Sequence, residues 1–321
     1  MKTITEYLQN DPVFYDFSDD CTQSAAYQAK KGYEKYFIYR SPQPGGKEIY
    51  PIAASVIEKN YQLYGQVGDP DAKSNLLQSI YSLLWPEIQE EKSGYMMYQG
   101  WIYSDTMTSC QSVLNNYVKS RMPEVLERYD AKNVSNLMCI ELYEADAAFK
   151  KLLEENEDLE HFIAVYHTLG NYLPVPYGFN KARSGYYGSH DSWDLTLMKI
   201  KEYYDAREEI SSHSGKLFAC PPEIKIMELL HCSREVVSCY QWLNGFGGWE
   251  GFIDKNFLQD FVGEDYQPLP FCQGHSWKCP QISDRFDEFF RNAWQRIEKR
   301  SRRMIKEIET KSFYMAEAIN A

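Results

Sequence analysis

The segment "DRFDEFFRNAWQRIEKRSRRMIKEIE", Asp284 to Glu309, decides the fold class. Phe286, Phe290, Ala293, Ile297, Met304 and Ile308 recur in steps of three, four and seven, the spacing of one face of a helix. The same run carries Arg296, Lys299, Arg300, Arg302, Arg303 and Lys306, interrupted by Glu298, Glu307 and Glu309. That alternation predicts a solvated helix face laced with local charge pairs. A phosphate or an acidic protein partner is the other use of such a basic stretch.

Outward from that segment the same periodicity returns in "TQSAAYQAKKGYEKYFIY" (Thr22 to Tyr39), "DAKSNLLQSIYSLLW" (Asp71 to Trp85) and "CIELYEADAAFKKLLEEN" (Cys139 to Asn156). It returns again in "DLTLMKIKEYYDAREE" (Asp194 to Glu209) and "PEIKIMELLHCSREVVSCYQWL" (Pro222 to Leu243). A mostly α protein is predicted. Proline and β-branched residues oppose continued helix in "EIYPIAASV" (Glu48 to Val56) and "GNYLPVP" (Gly170 to Pro176), so short extended pieces, a small sheet and an α+β variant are expected there.

With 321 residues, 44% of them apolar, the chain can build one large or two ordinary domains. No repeat or long linker divides it, so one compact domain over 1–321 is expected, with the polar stretch 121–136 as the candidate seam. The first residues lack a basic start followed by an apolar run, and no apolar stretch approaches the roughly 18 residues of a spanning helix. A soluble cytoplasmic protein is expected. Eight dispersed cysteines then read as unpaired thiols. A net charge of -12 disfavours nonspecific attraction to nucleic acid or an anionic membrane.

Polar residues concentrate between Tyr166 and Ile200. Trp193, Leu197, Ile200 and Tyr204 form the apolar stripe of a helix, with Asp191 and Asp194 placed to cap its start. Before it, Asn171, Asn180, Lys181 and Arg183 bracket a stiff extended segment. Arg183 could grip a carboxylate or phosphate in a forked geometry with Asn171 or Asn180 orienting it, so an anionic small molecule is the expected ligand. The plainer reading makes them loop staples bonded to their own backbone. His167 reads as a residue closing a helix end, or as a general base; His190 reads as exposed.

In "YQGWIYSDTMTSCQSVLNNYV" (Tyr98 to Val118), Asp105, Thr106 and Thr108 look like a helix cap, and Asp105 is also placed to meet a ligand. Gly245, Gly247 and Gly248 match neither a dinucleotide fingerprint nor a P-loop; a tight turn with Trp249, Phe252 and Phe257 in the core is expected. Cys272, His275 and Cys279, with His231, Cys232 and Cys239, offer zinc-binding atoms at the wrong spacings, so no metal and no cofactor is implied.

The blocks "FYDFSDD" (Phe14 to Asp20), "SDTMTS" (Ser104 to Ser109), Gly170 to Leu197 and "FGGWEGFIDKNFLQDFV" (Phe246 to Val262) together resemble a bacterial domain-of-unknown-function family. That resemblance spans most of the chain and implies no activity. "LGNYLPVPYGFN" (Leu169 to Asn180), followed by a helix bearing Lys199, is similar to the latter half of His-Me finger nucleases. It would put Asn180 beside a metal, yet "SNLMCIELYEADAAFKKLL" (Ser135 to Leu153) lacks the upstream histidine strand of those enzymes. The function expected is binding of an anionic or phosphate-bearing small molecule around Asn171, Asn180 and Arg183, with Asp105 and His167 contributing. A finger-like nuclease and an interaction module without a catalytic site are the alternatives, and turnover is left open.

Overall fold

The computed structural model describes residues 2–45, 51–89, 97–98, 100–176, 179, 191–212, 242–280, 282 and 284–320. The protein is mostly α. Near the N-terminus lie α1 (Ile4–Leu8), a 3-10 turn (Phe17–Cys21), α2 (Ala25–Gln28) and α3 (Gly32–Arg40). They are followed by α4 (Pro51–Tyr64), α5 (Pro70–Lys73) and α6 (Asn75–Leu84). Then come β1 (Met97–Tyr98), β2 (Trp101–Ile102) and β3 (Ser104–Thr106). The central helices are α7 (Cys110–Arg121), α8 (Glu124–Arg128), α9 (Asn136–Ala145), α10 (Ala147–Glu154) and α11 (Glu157–Ala164). After a 3-10 turn at Leu169–Asn171 come β4 (Tyr172–Pro174), α12 (Trp193–Ser212), α13 (Trp249–Lys255) and α14 (Phe286–Asn320).

Several long helical patterns are divided by local chemistry. Asp146 accepts from the backbone N–H groups of Ala148 and Phe149 at 2.9 and 3.0 Å, ending α9 and starting α10. Ser74 does the same for Leu77 at 3.1 Å, separating α5 from α6. Gly32, at φ +53°, sits where α2 gives way to α3. The extended reading of Glu48 to Val56 is corrected: from Pro51 the chain is helical, because proline suits a first helical turn and Ala53, Val56 and Ile57 bury one face. "GNYLPVP" does supply a strand, β4, antiparallel to β3 with Asp105 opposite Leu173. Residues 222–241 of the predicted helix before Leu243 lie outside the described residues.

The core is one contiguous cluster running from Tyr7 to Ile308, including Val125 and Val134 within the polar stretch 121–136. Its axis is α14, which packs along α11, α6 and the 3-10 turns at 169–171 and 259–261. The closest approach is at Gly170, where a Cβ would stand 2.0 Å from the Ile297 carbonyl oxygen and 2.6 Å from Ser301 Oγ. Only glycine lets the backbone approach so near. The Gly170 N–H donates to Ser301 Oγ at 2.8 Å.

Arg300 corrects the solvated-face reading of the basic run. It is fully buried, its guanidinium 4.8 Å from the Trp193 ring centroid. Nε donates to the Asn256 carbonyl at 2.9 Å, and Nη1 donates to those of Gly170 and Tyr172 at 2.8 and 2.7 Å. Burial pushes its pKa down to about 9. Neighbouring cations are also engaged: Arg296 with the carbonyls of Leu269 and Pro270, Arg302 with Glu298, Arg303 with Asp260. Among the described residues, no helix is long and apolar enough to cross a membrane.

Candidate functional site

The residues singled out between Tyr166 and Arg183 separate into two environments. Asn171 is fully buried, and its amide serves the backbone. Oδ1 accepts from Thr108 N–H at 3.0 Å, while Nδ2 donates to the carbonyls of Thr108 and Tyr166 at 3.1 and 2.9 Å. It clips the loop after β3 to the start of β4. Asp105 is buried within β3, and Ser109, not the Asp105 to Thr108 group, occupies the N-cap of α7. Thr108 Oγ1 instead accepts the N–H of Trp193 at 3.1 Å. Asn180, Lys181, Arg183 and His190 lie outside the described residues.

Asp194 accepts a free backbone N–H at the start of α12, as expected, and also holds a distant loop. Its Oδ1 accepts from Ser192 Oγ and Leu195 N–H, and Oδ2 from Phe271 N–H at 2.7 Å and His275 Nδ1 at 2.6 Å. This buried pair fastens the 271–275 loop to α12. His275, read above as a possible zinc ligand, is therefore held by a carboxylate, while His231, Cys232 and Cys239 lie outside the described residues. Among the described residues, no group of three or more His, Cys, Asp or Glu side chains is arranged to hold a metal.

His167 faces the other way, into a hollow of about 640 Å³ between the N-terminal segment, α3 and α11. It follows the end of α11 by three residues, and its carbonyl accepts the N–H of Phe17 at 3.1 Å. That bond lays the Phe14 to Asp20 segment across it. Asp16 caps the 3-10 turn through Ser18, whose N–H and Oγ reach Oδ1 at 2.9 and 2.5 Å. The same oxygen is 3.5 Å from His167 Nδ1. Asp16 Oδ2 is 3.1 Å from Lys35 Nζ, and Lys35 Nζ is 2.7 Å from Asp19 Oδ1.

Lys35 is only 9% exposed as a side chain, and a buried ammonium is tolerable because two carboxylates and the Tyr27 ring, 5.3 Å away, surround it. The Tyr27 hydroxyl bonds Ser18 Oγ at 2.8 Å. The Tyr39 ring stands edge-on to His167 at 4.3 Å. Phe14 and Tyr39 bring aromatic rings to the hollow, and Asn10, Gln28 and Lys31 give it further polar groups.

The two carboxylates are driven in opposite directions. Burial pushes Asp16 up, but the His167 hydrogen bond and charge, Lys35 and Ser18 outweigh it and hold the group well below the usual carboxylate range. Asp19 is raised by burial, with Asp16 and Asp20 adding to the effect against Lys35. One site thus holds a carboxylate that gives up its proton more readily than usual and a neighbour that gives it up less readily.

His167 is the one sequence-derived candidate among the described residues that lines this hollow; Asp105 and Asn171 do not. The sequence pattern assigns no chemical role to its neighbours Asp16, Asp19 and Lys35, although the two aspartates stand in "FYDFSDD". The available signal was a lysine set among Tyr33, Tyr36 and Phe37, where an unpaired charge would be costly. No family model, curated protein or solved structure matches the chain.

Proposed function

We propose that the hollow binds a small hydroxylated ring compound, a sugar or a nucleoside, and that His167 moves a proton at it. The observation that carries this reading is the chain His167, Asp16, Lys35, Asp19 on the wall of a cavity of about 640 Å³ that also presents aromatic faces. Cavities of roughly 300–1,000 Å³ with a few convergent polar groups are the usual setting for small-molecule sites. A proton on Nδ1, 3.5 Å from Asp16 Oδ1, would leave the imidazole lone pair on Nε2, the arrangement of a general base. Ring faces and mixed donors and acceptors suit hydroxyl groups, while Lys35, already neutralised by two aspartates, has little charge left for a phosphate.

An anionic ligand is the second reading, moved from Asn171, Asn180 and Arg183 to the same hollow. Lys31 and Gly32 line it at the start of α3, whose N-cap has no side-chain hydrogen bond, and helix N-termini favour negative charge.

Melting shifts over neutral sugars, nucleosides and their phosphates test both readings. Stabilisation by neutral members that is lost in His167→Ala and Phe14→Ala is the expected result. Stabilisation by phosphates alone would favour the anionic reading, and a flat response across the panel would remove both.

A further inference from the structure

A second hollow, of about 660 Å³, lies on the far side of the Phe17–Cys21 turn. Its wall includes Asp20, Thr22, Gln23 and Asn75, and it shares Tyr15, Asp19 and Gln28 with the hollow that holds His167. Those three residues form the divide between the two, and they are fixed. Tyr15 OH donates to Asp20 Oδ1 at 2.5 Å, Ser74 Oγ donates to Asp20 Oδ2 at 2.7 Å, and Gln28 Nε2 donates to the carbonyls of Asp19 and Thr22 at 2.9 and 3.3 Å.

Nothing in the single-ring reading uses this second space. A ligand filling only the first hollow would leave unused a neighbour of equal size with its own set of donors and acceptors. The chemistry of the second wall restricts what can extend into it. Gln23 and Asn75 bring amide donors and acceptors to it, and Asp19, Asp20, Thr22 and Gln28 bring oxygens that can accept from hydroxyl groups. A bridging phosphate would face Asp19 and Asp20. The cation on that wall, Lys2, sits 4.1 Å from the Tyr15 ring centroid. The link between units on either side of the divide is therefore neutral, which selects a glycosidic bond over a phosphodiester.

We infer that the two hollows are adjoining subsites for a short neutral oligosaccharide that crosses Tyr15, Asp19 and Gln28, with the reacting or anchoring ring beside His167. This rests on the proposed ligand class for the first hollow and adds its length and linkage. Asp19, facing both hollows, then lies beneath the link between the two rings.

The test measures binding of neutral mono-, di- and tetrasaccharides of α- and β-linked glucose, mannose, galactose and N-acetylglucosamine to the full chain by calorimetry and intrinsic fluorescence, with free nucleosides alongside. The expected result is at least tenfold tighter binding of a tetrasaccharide than of its monosaccharide. Gln23→Trp, which fills the second hollow from an exposed loop position, should abolish that gain and leave the monosaccharide unchanged. Phe14→Ala, in the first hollow, should weaken both. Equal affinity for one and four rings, or a gain that survives Gln23→Trp, overturns the two-subsite inference and leaves the first-hollow reading standing. Nucleoside binding without saccharide binding does the same. Binding by neither class overturns both.

Discussion

Two polar regions lie a few residues apart along the chain and differ in how their hydrogen bonds are satisfied. At the crossing of Gly170 and Asn171 with α14, the buried polar atoms of Asn171 and Arg300 bond mainly to backbone carbonyls and N–H groups. At the hollow around His167, side chains bond to side chains, carboxylates with shifted ionisation face a space large enough for a guest, and the walls belong to separate elements. The first arrangement ties distant backbone segments together. The second leaves carboxylates and an imidazole along the wall of an open space. Both contain the Asn, Arg, His and Asp that a sequence reader associates with function, so partners, not residue types, distinguish them.

The comparison can be broken most sharply at Gly170. Gly170→Ala forces a methyl group against the backbone of α14, and a loss of about 3 kcal/mol or more is expected in urea unfolding. A cost below about 1 kcal/mol would mean that the crossing is loose. Arg300→Met leaves three buried carbonyls without donors, for an expected loss of about 3 kcal/mol. Asn171→Leu strands one N–H and two carbonyls and should cost about 2 kcal/mol. Any ligand affinity per folded molecule should survive all three changes. Affinity lost in a folded Asn171→Leu protein would return that residue to the binding site.

The hollow should show the converse. His167→Gln retains a donor for Asp16 and is expected to change stability by less than about 1 kcal/mol while removing any proton-transfer activity. The smallest effect concerns acid. Because the folded protein holds Asp16 below its ordinary value, its contribution is full above the unfolded carboxylate pKa, roughly 4, and is lost as pH falls through the folded value. Asp16→Asn should therefore cost more stability at pH 7 than at pH 3. Asp19 is shifted upward, so its contribution is present in acid and lost as pH rises; Asp19→Asn should cost more at pH 3 than at pH 7. Denaturant midpoints at the two pH values decide the matter, and parallel profiles for the two variants would contradict the opposed shifts.

Much of the helical fold was legible because periodicity reports burial directly, as in Asp284 to Glu309. The break at Asp146 and the helical start at Pro51 depend on local caps and on packing, which periodicity does not weigh. Arg300 was misplaced for a related reason. Its helical position falls on the inward face, but a guanidinium there is stable only because carbonyls from Gly170, Tyr172 and Asn256 converge on it, and those lie far away in sequence. The surroundings of His167 were half legible: the histidine stands out in the sequence, but the carboxylate 3.5 Å from it, Asp16, is brought across by a backbone bond from Phe17 that no sequence pattern marks.

The bond between Gly170 and Ser301 joins residues 131 positions apart. At a translation rate of roughly 5–20 residues per second, the narrow backbone saddle at Gly170 emerges from the ribosome on the order of 10 s before the helix that seats on it. During that interval Leu169, buried in the finished protein within the turn that packs on α14, and the Gly170 and Tyr172 carbonyls that Arg300 binds have no α14 to meet them. The nascent chain therefore passes through a window in which its centre is vulnerable to aggregation or chaperone capture. A synonymous slowdown of translation within that span should lengthen the window and lower the soluble yield without altering a single contact in the native molecule.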